Sequence, residues 1–208
     1  MRRANPQLQA DRRFEILEAA ERCFLRSGFH QASMQEICAE AGMSPGNLYR
    51  YFPSKEALIA GITERNRAEA AESFAAVLRA PDFFQGLAEL ARYHLVDRTP
   101  EEIGLCAEIM AECRRTPDIA RLYQDVERDV KARLVALLRH AAEQGEISQN
   151  LDLDAAATVL MALADGISCR RTVDPGFDPA VVLPLVLKMV RCMLTEPACP
   201  DAQEGKPR

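Results

Sequence analysis

The side chains best equipped for chemistry in this chain cluster between Ser33 and Lys55. The Asn47 amide donates and accepts as an adenine edge requires, and the Arg50 guanidinium forms a fork that suits guanine or a phosphate. Tyr49 and Tyr51 offer hydroxyls to phosphate oxygens. Gly46 lets the backbone come close, and Lys55 adds positive charge beside a helix start. These groups suit a surface that touches nucleic acid.

Such groups must be held by short rigid elements, and the spacing supplies them. Ser33 followed by Glu36 is a capping box, so a helix begins at Met34 and Gly42 ends it. Ser44-Pro45 restarts the chain as a helix, with Ser44 as N-cap and Pro45 at the first helical position. Pro53 disfavours helical geometry in the residue before it, so this second helix stops near Phe52. Two short helices joined by a three-residue turn make a helix-turn-helix, whose second helix lies in the major groove. Leu48, Phe52, Ile37 and Cys38 are core positions.

Other chemistries lack their residues. No G-x-S-x-G, phosphate loop, metal-ligand spacing or acid/base pair is present, which predicts neither an enzyme nor a cofactor. His30, His94 and His140 are scattered. Seven cysteines without C-x-x-C spacing, and no secretory signal, predict reduced thiols in the cytoplasm. Cys106 and Cys113 lie about 10 Å apart along one helix, too far for a disulfide, and no basic cluster activates Cys192 or Cys199. The longest apolar run, Ala155 to Ala164, is too short to span a bilayer, so no membrane contact is expected.

Charge divides the chain. Its net charge is −5, yet residues 1–55 carry +2 and the rest −7. A mildly basic head on an acidic body lets the head face phosphates. Arg2, Arg3, Arg12 and Arg13 read equally well as phosphate-facing groups or as a solvated arm.

The remaining pattern is all-α. Residues 8–27 place Phe14, Leu17, Ala20 and Phe24 at helical spacing, with Gly28 as the stop. A long helix from Lys55 to about Arg79 follows Ser54, with Leu58, Ile62, Phe74, Val77 and Leu78 inward. Phe84, Leu87, Leu90, Ala91 and Leu95 mark another. Thr99-Pro100 opens a helix with the stripe Ile103, Cys106, Met110 and Cys113; Thr116-Pro117 opens one with Ile119, Leu122, Val126, Val130, Leu134 and Leu137, ending near Gly145. Residues 153–171 are apolar or small on nearly every side, which describes a helix buried against several neighbours. Asp178 to Leu194 is the last, and Pro184 should kink it or delay its start. The expected division is a helix-turn-helix head over 1–54, a helical body over 55–195, and a disordered tail over 196–208 containing Pro197, Pro200 and Pro207.

The first 60 residues, with Ala41-Gly42-Met43-Ser44, Leu48-Tyr49-Arg50-Tyr51-Phe52 and Ser54-Lys55-Glu56-Ala57-Leu58, closely resemble the TetR family of bacterial transcriptional regulators. Asp165-Gly166, Arg170-Arg171 and Asp174 to Pro179 resemble one subgroup's C-terminal domain. The resemblance implies a three-helix DNA-binding head on a helical bundle. It implies DNA contacts for Ser33, Gln35, Ser44, Pro45, Gly46, Asn47, Tyr49, Arg50, Tyr51 and Lys55. Tyr51 alternatively packs beneath the recognition helix, Gln35 is alternatively solvated, and Met34 is either core or groove wall.

The resemblance also implies a homodimer paired through helices 153–171 and 179–194 on a palindromic double-stranded operator. Release by a small-molecule effector makes it a ligand-responsive repressor; the alternative is an activator or a ligand-independent DNA-binding protein. A pocket in the body is expected among Tyr93, His94, Cys106, Met110, Cys113, Tyr123, Met161 and Asp165, where apolar stripes mix with a few polar groups.

Overall fold

The computed structural model describes residues 6–195, and all its regular elements are helical. They are α1 (Pro6–Gln31), α2 (Met34–Glu40), α3 (Pro45–Tyr51), α4 (Lys55–Arg79), α5 (Phe83–Arg92), α6 (Pro100–Cys113), α7 (Pro117–Glu143), α8 (Leu153–Val173) and α9 (Pro179–Thr195). Arg2, Arg3, Cys199 and the tail 196–208 lie outside the described residues.

Helix starts follow their caps. The Ser33 hydroxyl accepts from the Glu36 N–H at 3.1 Å, and the Ser54 hydroxyl from the Ala57 N–H at 3.2 Å. Thr99 and Glu102 form a full capping box at 3.2 and 2.7 Å. The pairs Ser44-Pro45 and Thr116-Pro117 depart from expectation. Ser44 precedes Pro45 as N-cap, but its hydroxyl makes no cap hydrogen bond. Thr116 precedes α7, but its hydroxyl turns back to the Glu112 carboxylate. Gly28, at φ 72°, ends the regular part of α1 in a conformation that favours glycine. α9 begins at Pro179 with Pro184 inside it, so the second proline does not delay the start.

The chain forms two compact units: one of residues up to Glu69 with Thr99–Glu127, the other of Ala70–Arg98 with the chain from Arg128. In the first, Ile16, Ala20, Phe24, Ile37, Leu48, Phe52, Leu58 and Ile62 form a core joined by Leu105, Ile109 and Ile119. The reading helices therefore share their core with α6 and the start of α7. Gly61 allows the closest packing there, because a Cβ on it would lie 2.8 Å from Leu17 and 2.9 Å from the Phe52 ring.

In the second unit, Phe74, Val77, Phe83, Leu87, Leu134, Leu138, Val190 and Leu194 surround Ala156 and Ala157 of α8. α5 continues into a widened π-helical turn, Tyr93–Asp97, which contains Leu95. The Arg171 guanidinium closes that turn by donating to the carbonyls of Leu95 at 3.0 Å and Arg98 at 3.1 Å.

Several expected faces are rotated. Phe14 is 48% exposed and Leu78 is also exposed. The inward residues of α6 are Ile103, Leu105, Ile109 and Glu112, while Met110 is exposed and Cys106 and Cys113 are half-buried. That rotation follows from packing against α1, which selects Leu105 and Ile109. α8 is not enclosed: only Ala156 and Ala157 are buried, and Val159, Ala162 and Gly166 are exposed.

Candidate nucleic-acid interface

α3 is two turns long, and Leu48 anchors it in the core with no exposed surface. With Leu48 and Phe52 inward, helical geometry turns Pro45, Gly46, Tyr49 and Arg50 outward as one stripe, and all four are exposed. Nothing lies within 4 Å of a Cβ built on Gly46, so the backbone is open to close approach there. Asn47 is half-buried at the edge of the stripe. Tyr51 is half-buried and packed on the core, as are Met34 and Met43, while Gln35 and Ser33 are exposed on α2. The uncapped Ser44 hydroxyl is exposed at the start of α3.

Electrostatics fix α2 on α1. Arg22 reaches Glu40 at 2.7 Å, and Arg26 reaches Glu36 at 2.9 Å and Glu40 at 3.3 Å. The Arg26 guanidinium, with help from the Ser27 hydroxyl, holds the Glu36 carboxyl below its usual range. Arg22 first, then Arg26, does the same for Glu40. These two arginines are thus occupied by carboxylates.

Lys55 is also turned inward. Its ammonium donates to the carbonyls of Phe29 at 2.6 Å and His30 at 3.1 Å and lies 4.6 Å from the Phe29 ring centroid. It caps the end of α1, where cations are favoured. The next residue along, His30, brings Nε2 to 2.8 Å from the carboxylate of Glu112, which is only 2% exposed.

Sequence reasoning missed Arg13, grouped above with a possible solvated arm. Its guanidinium lies 4.4 Å from the Phe52 ring centroid and donates to the Tyr51 carbonyl at 3.3 Å. The missed signal is its place one turn before Leu17 on the stripe Leu17, Ala20, Phe24. Phe14 and Arg13 are both exposed, and Arg13 is the one that meets Phe52.

The eight expected pocket residues fall four to each compact unit. In the first, Cys113 and Tyr123 pack on the core, while Cys106 is half-buried and Met110 exposed. In the second, Tyr93 and His94 meet edge to face at 5.0 Å and Met161 packs on the core. Burial, and secondarily the Arg98 charge, lowers the His94 pKa to about 4. Burial raises the Asp165 carboxyl. A cleft of about 100 Å³ in the second unit, beside Val77, Pro81, Phe83, Leu137 and His140, includes none of the eight. It is smaller than ligand pockets of about 300 Å³ and above.

Among the described residues, no group of three or more His, Cys, Asp or Glu is placed to hold a metal. No described helix is long and apolar enough to cross a membrane.

The model for bacterial regulatory proteins of the tetR family matches residues 16–62, and the model for the C-terminal part of BetI-type transcriptional repressors matches residues 87–195. The HTH-type transcriptional regulator UidR of Escherichia coli (strain K12) is 34% identical over 158 residues, which cover 74% of this chain and 79% of UidR. The HTH-type transcriptional repressor Rv1474c of Mycobacterium tuberculosis is 29% identical over 194 residues, covering 88% and 94%. The structure of Salmonella enterica GusR superposes with a TM-score of 0.78 at 31% identity, covering 93% of this chain and 99% of GusR.

Proposed function

Because this chain belongs to the TetR family of bacterial regulatory proteins, we infer that it grips a palindromic operator as a homodimer and represses until a small molecule binds its body. The chain is a helix-turn-helix transcriptional regulator.

The observation that carries the reading is the exposed stripe Pro45, Gly46, Tyr49 and Arg50 on a helix anchored by fully buried Leu48. It offers a groove-sized face with an open backbone, an aromatic hydroxyl and a guanidinium. Asn47 at the edge, Ser33 and Gln35 on α2, and the Ser44 hydroxyl extend it. Lys55 and Tyr51 are better explained as supports of the head, since the first caps α1 and the second packs on the core.

One head makes too few base contacts for a specific site, so a dimer is required. Val181, Leu185 and Met189 of α9, spaced at i, i+4 and i+8, are 75%, 62% and 53% exposed. Val159 and Gly166 are exposed on α8, and a Cβ on Gly166 would meet nothing within 4 Å. Such an apolar face on a soluble helix calls for a partner, and a second copy supplies it with two-fold symmetry. The sign of regulation is supported by Rv1474c, whose name describes it as a repressor. Release follows if the effector prefers the shape that cannot bind DNA, since only that preference shifts the equilibrium.

In this reading the protein works in the cytoplasm and has no catalytic step. Its reading head ends near residue 54, and its ligand-binding and dimerisation body covers 55–195. Analytical ultracentrifugation with and without a palindromic duplex tests the assembly. The wild type should be a dimer that adds two protomers per duplex. Leu185→Glu with Met189→Glu should be monomeric and lose operator binding; a dimer that survives both changes sinks this interface. A reporter repressed only in the presence of the gene supports the sign, and one activated by it reverses it.

A further inference from the structure

We propose that Arg13 is a positioning residue for DNA recognition, a clip from α1 that fixes where the recognition helix α3 ends. The last carbonyls of any helix lack partners, and α3, only seven residues long, has little internal hydrogen bonding to keep its axis in place. Its chain leaves the helix at Phe52, which is extended (φ −139°, ψ 109°) and buried. Arg13 meets this exit twice. Its Nη1 donates to the Tyr51 carbonyl at 3.3 Å, and the guanidinium lies 4.4 Å from the Phe52 ring centroid.

Two further observations single it out. No other side chain among the described residues hydrogen-bonds the backbone of α3, and Ser44 leaves the opposite end without a side-chain cap. Arg12 pairs with Glu15, Arg22 with Glu40, and Arg26 with Glu36 and Glu40, whereas Arg13 has no carboxylate partner among the described residues. A carboxylate would draw the fork off the carbonyl and the ring. Its absence leaves the guanidinium to the recognition helix.

Arg13 therefore acts on the reading of bases through the pose of Tyr49, Asn47 and Arg50. Groove contacts tolerate displacements of only about 0.5 Å, so a loosened exit weakens base contacts more than sequence-independent phosphate contacts. A residue that itself bound phosphate would weaken every duplex alike and lower the salt dependence by about one unit.

The experiment compares wild type, Arg13→Lys and Arg13→Gln by fluorescence anisotropy between 50 and 200 mM salt. The probes are the palindrome that the wild-type protein enriches from a random duplex pool and a shuffled duplex of the same composition. Arg13→Gln should lose about tenfold on the palindrome, change less than twofold on the shuffled duplex, and keep the wild-type salt slope. Arg13→Lys, with the charge and an ammonium donor but no planar fork to stack, should fall between. Equal weakening on both duplexes with a salt slope smaller by about one makes Arg13 a phosphate contact and overturns the proposal. Unchanged palindrome affinity overturns it too, including the case where only the melting temperature drops. If Arg13→Gln does not fold, Arg13→Lys decides by the same criteria: selective loss on the palindrome supports the clip, and uniform or absent loss refutes it.

Discussion

Acidification from pH 7.5 to 5 should cost this protein about 2 kcal/mol of stability through His94 alone. The imidazole is held largely out of water beside the Tyr93 ring, and its pKa is lowered from 6.5 to about 4, chiefly by burial and then by the Arg98 charge. The folded state thus prefers the neutral ring. Below pH 6.5 the unfolded chain takes up a proton that the folded chain refuses, so stability falls as pH drops toward 4 and is complete above 6.5. A difference of about 2.5 pKa units is worth roughly 3.4 kcal/mol below pH 4, at about 1.36 kcal/mol per unit. At pH 5 the unfolded ring is almost fully protonated and the folded ring only about one-tenth, which gives about 2 kcal/mol of that total.

Carboxylates titrate in the same range, so the comparison must be internal. Urea unfolding of wild type and His94→Phe, each at pH 7.5 and 5 and at one protein concentration, isolates the ring. The wild type should lose about 2 kcal/mol more than His94→Phe between the two pH values. Equal losses in the two proteins would mean that the imidazole titrates normally and that its burial has been misjudged.

Other consequences are more local. Gly61→Ala would place a methyl 2.8 Å from Leu17 and 2.9 Å from Phe52, so the unfolding free energy should fall by about 1–3 kcal/mol; a neutral result would show that this part of the core yields. His30→Ala removes the imidazole that lies 2.8 Å from the buried Glu112 carboxylate and leaves the Thr116 hydroxyl as its side-chain partner, which should cost about 1–3 kcal/mol in urea unfolding. No change would indicate that water already serves that carboxylate, since the imidazole itself is exposed. With the pairing face in place but the guanidinium gone, Arg50→Ala should weaken operator binding by about 1–3 kcal/mol per half-site and leave the dimer's sedimentation unchanged.

Helix boundaries were legible because they depend on local chemistry. Ser33, Ser54 and Thr99 cap where their spacing to the next N–H donors says they should. Gly28, with its positive φ, ends the regular part of α1 as expected. The outward stripe of α3 was legible too, since burying Leu48 and Phe52 leaves few other faces for Tyr49 and Arg50.

What was not legible depends on partners distant in the chain. Phe14 and Arg13 are neighbours and both are exposed, and only the position of Phe52 makes Arg13 the one that meets the reading helix. Apolar periodicity alone does not distinguish the α6 stripe through Cys106 and Met110 from the one through Leu105 and Ile109 that meets α1. Lys55 beside a reading helix suggests a phosphate contact from its charge, and its pairing with the carbonyls of Phe29 and His30, which take two of its three N–H donors, could not be read from the local sequence. The smallness of α8 suggested burial, whereas its exposed residues leave that face for another chain in the proposed dimer.

The central claim is that the exposed stripe of α3 reads bases. Anisotropy titration of Arg50→Ala against the selected palindrome and a shuffled duplex, both at 150 mM salt, tests it most directly. A loss of tenfold or more on the palindrome, with the shuffled duplex changed only slightly, is the predicted result. Unchanged discrimination between the two duplexes would contradict it and place the reading of sequence elsewhere on the protein.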